Sequence, residues 1–559
     1  MTARTACLLL ASLMTLAVHG QPSATTAPQA PPALNPRTAA LQQRVVELQH
    51  DRRRGVRDAR IVLADIVADF YQRQGYRRYW DDPGRLEQLL LEIERLRGDG
   101  LDPADYHLQT LQSFRDQWRS TGSLAPAELA ELELLATDGT VLALYHLFAG
   151  KVDPEKLSSQ WNFTDRPIGS ETPAELLARA LASSPLQATF ERARPAHPWY
   201  RRARESLAEY RAIAAAGGWP TVPAGPKLEP GAEDSRLPVL RQRLQVTRDL
   251  TEVPGAVNDF YDPTTVEAVK RFQQRHGLDV DGVVGPATLE ALNVPVERRI
   301  DQIRINLERG RWVLHELHGE FVLVDIAGFE VSHQRDEQVL WSSRAIVGRP
   351  YRETPVFKSE IDHVVFNPTW TIPPGILAKD KLPVIKRDPG YLERNNIRVI
   401  DRNGRQVSPY SVNWQRYSGS NIPYQLVQDP GPANALGLVK IMFPNPYLVY
   451  LHDTPSKELF ERDTRTFSSG CIRVQKAFEL AEIVLGDPGR WNQQSIAEVV
   501  ASKRTQTVWL ARKVPVLLLY WTAQPRADGQ TIFRKDIYDR DPALLAALES
   551  GFRLPQLRD

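Results

Sequence analysis

The apolar residues of this 559-residue chain change their spacing once, near Trp312. Before that point they recur at helical intervals, as in Ile61, Leu63, Ile66, Val67 and Phe70, then Leu86, Leu89, Leu90, Ile93 and Leu96. After it come alternating or β-branched runs: Phe321 to Ile326, Ala345 to Val347, Val364 to Phe366, Val439 to Phe443, Tyr447 to Leu451, Val514 to Tyr520 and Thr531 to Phe533. A period of 3.6 buries a stripe of a helix and a period of 2 buries a face of a sheet, so the two regions cannot build one kind of layer. The length also exceeds what one hydrophobic core holds, and about 150 residues per domain predicts three or four units. The expected fold class is multidomain α+β.

Punctuation residues place the boundaries. Arg4 and the apolar run Ala6 to Val18, with small residues ahead of Gln21, read as a signal peptide over residues 1–20. Residues 21–36, rich in Pro, Ala and Thr, read as an extended linker. Residues 37–216 read as a helical scaffold domain, with Asp102-Pro103 and Pro126 as helix starts. No segment after the signal reads as long and apolar enough to cross a bilayer. Gly217-Gly218-Trp219-Pro220 opens a Gly- and Pro-rich linker to 235. Residues 236–295 read as three short helices: Pro263 to His276 closes on Gly277, and Gly285-Pro286 opens the next. A connecting helix covers 296–311, a β-rich unit 312–542, and a tail or helix 543–559. Within the β-rich unit, about 375–424 is polar, basic and weakly periodic, which suits a cap inserted over a site.

Lys plus Arg number 70 and Asp plus Glu 68, giving +2 at pH 7, so the chain lacks the basic excess of a nucleic-acid binder. It has two cysteines. Cys7 lies in the export signal, so Cys471 is left alone after processing. A lone exported thiol is a buried small hydrophobe, an intermolecular link or a nucleophile, and its neighbours favour the third. A thiol needs a base, and His452 ends an alternating run in which Leu448, Tyr450 and His452 would share one face of a strand. Gly470 permits a tight turn whose N–H groups can converge on an oxyanion. A helix beginning near Val474 would add its N-terminal dipole to stabilise the thiolate, and Arg473 is suited to hold a carboxylate. His315 and His318 are the nearest thing to a metal pair, but no carboxylate or cysteine cluster accompanies them, so a solvated or interface role is expected.

The unit at 236–295 resembles the peptidoglycan-binding type 1 domain through Leu244-Gln245, Phe272-Gln273, His276-Gly277-Leu278 and Gly285-Pro286-Ala287-Thr288. From about Phe321 to Asp541 the chain resembles the L,D-transpeptidase (YkuD-type) catalytic domain. It is most similar to the large periplasmic subgroup that carries a helical scaffold, a peptidoglycan-binding module and a capping subdomain. The likeness rests on His452-Asp453-Thr454-Pro455, Ser468-Ser469-Gly470-Cys471-Ile472-Arg473, Asn434-Ala435-Leu436-Gly437 with Lys440 and Phe443-Pro444-Asn445, Val347-Gly348-Arg349-Pro350 with Thr354-Pro355, and Asn367-Pro368-Thr369-Trp370. Many members of the wider family have histidine where this chain has Ser469; the large subgroup resembles it in having serine.

The resemblance implies that Cys471 is the nucleophile and His452 the base, oriented by the backbone carbonyl of Asp453. It implies an oxyanion hole from the N–H groups of Ser469, Gly470 and Cys471, and substrate contacts from Arg473, Tyr450, Asn434 and Ser468. The implied substrate is a peptidoglycan stem tetrapeptide, on glycan strands, whose acyl group passes through a cysteine thioester into a 3→3 cross-link. Hydrolysis at the same site and a non-catalytic wall-binding scaffold are the alternatives. The resemblance implies no metal or organic cofactor, carbapenem β-lactams as covalent inhibitors, other wall-synthesis proteins as further partners, no nucleic acid, and a periplasmic location. The protein is expected to be soluble, with an uncleaved signal anchor as the alternative.

Overall fold

The computed structural model describes residues 35–552 except 52–54, 158–160, 162, 164–172, 184, 252–258, 316, 337 and 420. The expected signal peptide, with Arg4 and Cys7, and the linker as far as Leu34 lie outside the described residues.

The first helices are α1 (Pro36–His50), α2 (Ala64–Arg73), α3 (Pro83–Arg95), α4 (Leu108–Thr121) and α5 (Pro126–Ala149). Asn35 and Asp82 cap α1 and α3 by accepting N–H bonds, and proline occupies the first turn of each, where a missing N–H costs nothing. Asp102 caps in the same way, but it opens only a single 3-10 turn, Pro103–Tyr106, ahead of α4. Contrary to the expectation that no later segment could span a bilayer, α5 is long and apolar enough by length and composition. It is apolar all round because it is the buried core helix of this domain. Its few polar side chains serve the loops around it. Asp138 accepts from the N–H groups of Val62 and Leu63 at 3.1 and 2.7 Å, and Glu133 from those of Tyr79 and Trp80 at 2.5 and 3.0 Å.

Helix α6 (Pro198–Ala215) leads through the Gly-Pro stretch to the three-helix unit, α7 (Leu237–Val246), α8 (Pro263–His276) and α9 (Pro286–Leu292). Gly277 closes α8 in the left-handed conformation, φ 66°. The connecting helix α10 (Val296–Val313) runs between the helical region and the β-rich domain and is buried along most of its second half.

The β-rich domain is a nine-stranded sheet. Its strands are β1 (Glu320–Asp325), β2 (Glu330–Arg335), β3 (Gln338–Gly348), β4 (Phe357–Phe366), β9 (Val439–Met442), β10 (Leu451–His452), β11 (Thr466–Ser468), β12 (Ile472–Val474) and β13 (Gln506–Leu519). The order is β11-β3-β12-β10-β9-β4-β13-β1-β2, and β2 also pairs with β3, so the sheet closes on itself. One face, with Val364, Ile441, Leu451 and Ile472, forms the core with α11 (Ala477–Leu485).

The weakly periodic stretch is a folded subdomain. Its sheet, β5-β8-β6-β7, is built from β5 (Trp370–Thr371), β6 (Ile397–Ile400), β7 (Gln406–Val407) and β8 (Gln425–Gln428), with short helices between Pro374 and Arg394. Trp370, Leu382, Ile385, Leu392, Val399, Trp414 and Leu426 form its own small core. Its short elements leave no sustained period to read in the sequence. After β13 the hairpin β14 (Ala523–Pro525) and β15 (Thr531–Phe533) and the helix α12 (Asp541–Glu549) return to α10.

Candidate active site

Strands β10 and β12 run parallel with Leu451 beside Ile472 and His452 beside Arg473. On the other side of β10, His452 is opposite Lys440 of β9. Leu451, Ile441 and Ile472 go inward to the core, so alternation turns Lys440, His452, Cys471 and Arg473 to the other face, with Tyr450 beside them. The ring of Tyr450 lies edge-on to His452 with centroids 5.6 Å apart, and the Lys440 ammonium sits 4.0 Å from its centroid. Tyr450 also packs against the cap's core, so the cap covers this face.

His452 is 4% exposed, and its Nδ1 is 2.5 Å from the Asp453 carbonyl oxygen. That acceptor places a proton on Nδ1, and the Leu436 carbonyl is a second backbone partner of the ring. Burial, then the Arg473 guanidinium, pushes the imidazole down to about 3. His452 is therefore neutral, the state in which an imidazole can accept a proton. Cys471 is half-buried, yet desolvation pushes its thiol above the ordinary value, opposed by hydrogen bonding to Tyr450 and by the charges of Lys440 and Arg473. Sγ donates to the Leu448 carbonyl at 3.6 Å. Among the described residues no hydrogen bond joins Cys471 to His452. The shifts favour a neutral thiol and a neutral imidazole on the same face, so a nucleophilic role for this thiol would need a base to take its proton.

The turn before the cysteine is held by its own side chains. The Ser468 hydroxyl donates to the Cys471 carbonyl at 2.5 Å and accepts from the Gly470 N–H at 3.1 Å. Gly470 has φ 115°, which suits glycine. The Ser469 hydroxyl accepts from Arg352 at 2.8 Å, and the same guanidinium donates to both oxygens of Asp380 in the cap, at 2.5 and 3.0 Å.

Several sequence expectations need correction. Cys471 is followed by strand β12, and the helix begins at Ala477 rather than Val474, so its N-terminus comes six residues after the thiol. Leu448 does not share a strand face with Tyr450 and His452; it turns at φ 57° and is 72% exposed. The Gly470 N–H is spent on Ser468, which removes it from the expected oxyanion donors and leaves those of Ser469 and Cys471. Ser468 and Asn434 are each 2% exposed and serve turns rather than the open site. Asn434 donates to the carbonyls of Pro368 and Asp429 and accepts from the Leu436 N–H. Arg473 stays on the site face with its Nε buried, and it forms no ion pair among the described residues. His315 packs against Phe148 of α5, with ring centroids 4.9 Å apart.

Lys440, the Arg352–Asp380 pair and Thr354 were not among the expected site residues. Lys440 had a legible signal, since it alternates with the core residues Val439 and Ile441 in β9. Thr354 stood in one of the motifs that carry the family resemblance, but its contact with Gly470, like that of Arg352 with Asp380, joins residues far apart in sequence and had no local signal.

Residues 319–514 match the family model described as "L,D-transpeptidase catalytic domain", residues 236–292 the one described as "Putative peptidoglycan binding domain", and residues 65–207 the one described as "Scaffold domain". A Haemophilus influenzae protein named "Putative L,D-transpeptidase" is 36% identical over 240 residues, which are 43% of this chain and 48% of the relative. The chain thus spans about half the length of the curated relative it matches. Among solved structures, an L,D-transpeptidase from Xylanimonas cellulosilytica aligns at 16% identity over 53% of this chain and 99% of its own, with a TM-score of 0.17. One from Stackebrandtia nassauensis aligns at 13% identity over 54% and 96%, with a TM-score of 0.22. The family models rest on the sequence itself, and by them this chain carries an L,D-transpeptidase catalytic domain of the YkuD family, preceded by a scaffold domain and a domain of the peptidoglycan-binding type.

Proposed function

We propose that the protein is a peptidoglycan L,D-transpeptidase that forms 3→3 cross-links through a thioester on Cys471. The observation that carries this reading is the single sheet face on which Lys440, Tyr450, His452, Cys471 and Arg473 meet beneath the cap. In this reading His452 Nε2 takes the Cys471 proton as Sγ attacks the carbonyl carbon of the third stem residue. The oxyanion is met by backbone N–H groups of the turn. The imidazolium returns its proton to the departing D-alanine amine, leaving a thioester. An amine from a second stem then attacks, His452 takes its proton, and the thiol is restored as the new amide forms. Lys440 and Arg473, two cations that form no ion pair among the described residues, suit an anionic peptide. A carbapenem would acylate the same sulfur. The location that goes with this chemistry is the periplasm, testable by fusing residues 1–36 to a reporter active only after export.

Incubation of the protein and Cys471→Ala with disaccharide tetrapeptide, followed by mass spectrometry, tests the proposal. Cross-linked dimer and free D-alanine from the wild type alone are expected. Tripeptide without dimer would replace transfer by hydrolysis, and unchanged substrate with both proteins would remove the enzymatic reading.

A further inference from the structure

The loop between β3 and β4 folds back so tightly over Gly348 that a Cβ there would lie 2.1 Å from the Arg352 carbonyl oxygen and 2.8 Å from the Thr354 nitrogen. This close approach brings the fully buried Thr354 against the nucleophile's turn. Its hydroxyl accepts from the Gly348 N–H at 2.9 Å and donates to the Gly470 carbonyl at 2.9 Å. A hydroxyl has one proton to donate, and here it goes to Gly470. Tyr538 holds Thr354 from the other side: its hydroxyl accepts from the Thr354 N–H at 3.2 Å and donates to the Gly348 carbonyl at 2.7 Å. Tyr538 lies beyond residues 319–514, so this support comes from outside the matched catalytic segment.

A trans peptide is planar, with its C=O and N–H pointing in opposite directions. Fixing the Gly470 oxygen therefore fixes the Cys471 N–H, which makes no hydrogen bond among the described residues and is left facing away from Thr354. Gly470 needs this restraint more than most residues, because glycine at φ 115° has little steric barrier to peptide rotation. We propose that Thr354, braced by Tyr538, is a positioning residue that orients the Gly470–Cys471 peptide so that the Cys471 N–H serves as an oxyanion donor. The inference rests on acyl transfer at Cys471 but not on the identity of the natural acyl donor.

Two probes of the same sulfur separate positioning from mere structure. Acylation by p-nitrophenyl acetate develops an oxyanion, whereas alkylation by iodoacetamide is a displacement at carbon that develops none. Loss of a full oxyanion donor typically costs about 100- to 1,000-fold, so a donor left free to rotate should cost about tenfold or more. Thr354→Val should slow ester acylation of Cys471 by that factor and leave alkylation within about twofold, Thr354→Ser should restore acylation, and Tyr538→Phe should give a smaller loss with the same selectivity. Tyr538→Phe supplies the comparison if Thr354→Val does not fold. Unchanged ester acylation in the foldable variants would overturn the proposal. So would a parallel fall in alkylation, failure of serine to restore the rate, or a wild-type Cys471 that the ester does not acylate. If the wild type reacts with the ester but releases no D-alanine from tetrapeptide, the substrate reading fails while the Thr354 comparison still stands.

Discussion

Cys471 and His452 lie on one face of the sheet, each with its ordinary ionisation displaced away from the charged form. Burial pushes His452 down to about 3 and pushes the Cys471 thiol up. Both shifts set the direction of the pH response. As pH falls from 8 to 5 the imidazole stays neutral, so the free protein should show no activity limb near the ordinary histidine value of about 6.5. As pH rises, spontaneous thiolate appears only above the usual thiol value of about 8.5. Iodoacetamide labelling of Cys471 should therefore climb between pH 7 and 10 without levelling off at 8.5, measured by mass spectrometry with Cys471→Ala as the blank. A plateau reached below pH 8 would mean a preformed thiolate–imidazolium pair. The neighbouring sequence motif made both residues legible, but their charge state was not, because it depends on what covers them.

At the scale of elements, the cap and the turn before Cys471 are joined by one guanidinium. Arg352 binds Asp380 of the cap and the Ser469 hydroxyl together, in a pair that is only partly shielded from solvent. Such a pair is worth about 1 kcal/mol, or about a fivefold change in an opening equilibrium. Asp380→Ala should raise amide hydrogen exchange across residues 377–394 by about that factor while leaving β9 and β10 unchanged. Equal exchange in the variant would show that the hydrophobic contact of Tyr450 with the cap's core holds it closed alone. The cap was legible in the sequence only as a stretch with weak periodicity. Its strands β6, β7 and β8 are two to four residues long, and segments that short carry no repeating pattern. The strand Gln338–Gly348 was read only as Ala345 to Val347, because its first half is largely solvent-exposed and has no apolar alternation to show.

At the scale of the whole molecule, α10 joins the helical region to the β-rich domain through side chains from both. Glu308 accepts the Val152 N–H at 2.7 Å, and Trp312 donates to the Val152 carbonyl at 3.0 Å. Arg311 donates to the Asp99 carbonyl at 2.7 Å and to Tyr200 at 2.9 Å, and pairs with Glu308. From the other side, Asn306 donates to Thr522 at 2.8 Å and Arg309 pairs with Asp541 at 2.7 Å. Arg311 and Glu308 are fully buried, so removing one leaves the other as an uncompensated charge. Arg311→Met should cost about 3–5 kcal/mol, read as a lower urea midpoint, and Arg311→Met with Glu308→Leu should recover most of it. A single variant as stable as the wild type would remove this pair from the interface's supports.

By itself the sequence determined the change from helical to strand periodicity, the three-helix unit with its glycine and proline ends, and the connecting helix. These are local matters, set by backbone propensity, side-chain period and residues close in the chain. Only the tertiary structure decided what the site is made of beyond them. Parallel pairing of β10 with β12 set Arg473 beside His452, the β3–β4 loop brought Thr354 onto Gly470, and the cap brought Asp380 to Arg352. Each of these contacts joins residues remote along the chain, and strand register and burial, which no local pattern encodes, fix both their meeting and the charges they carry.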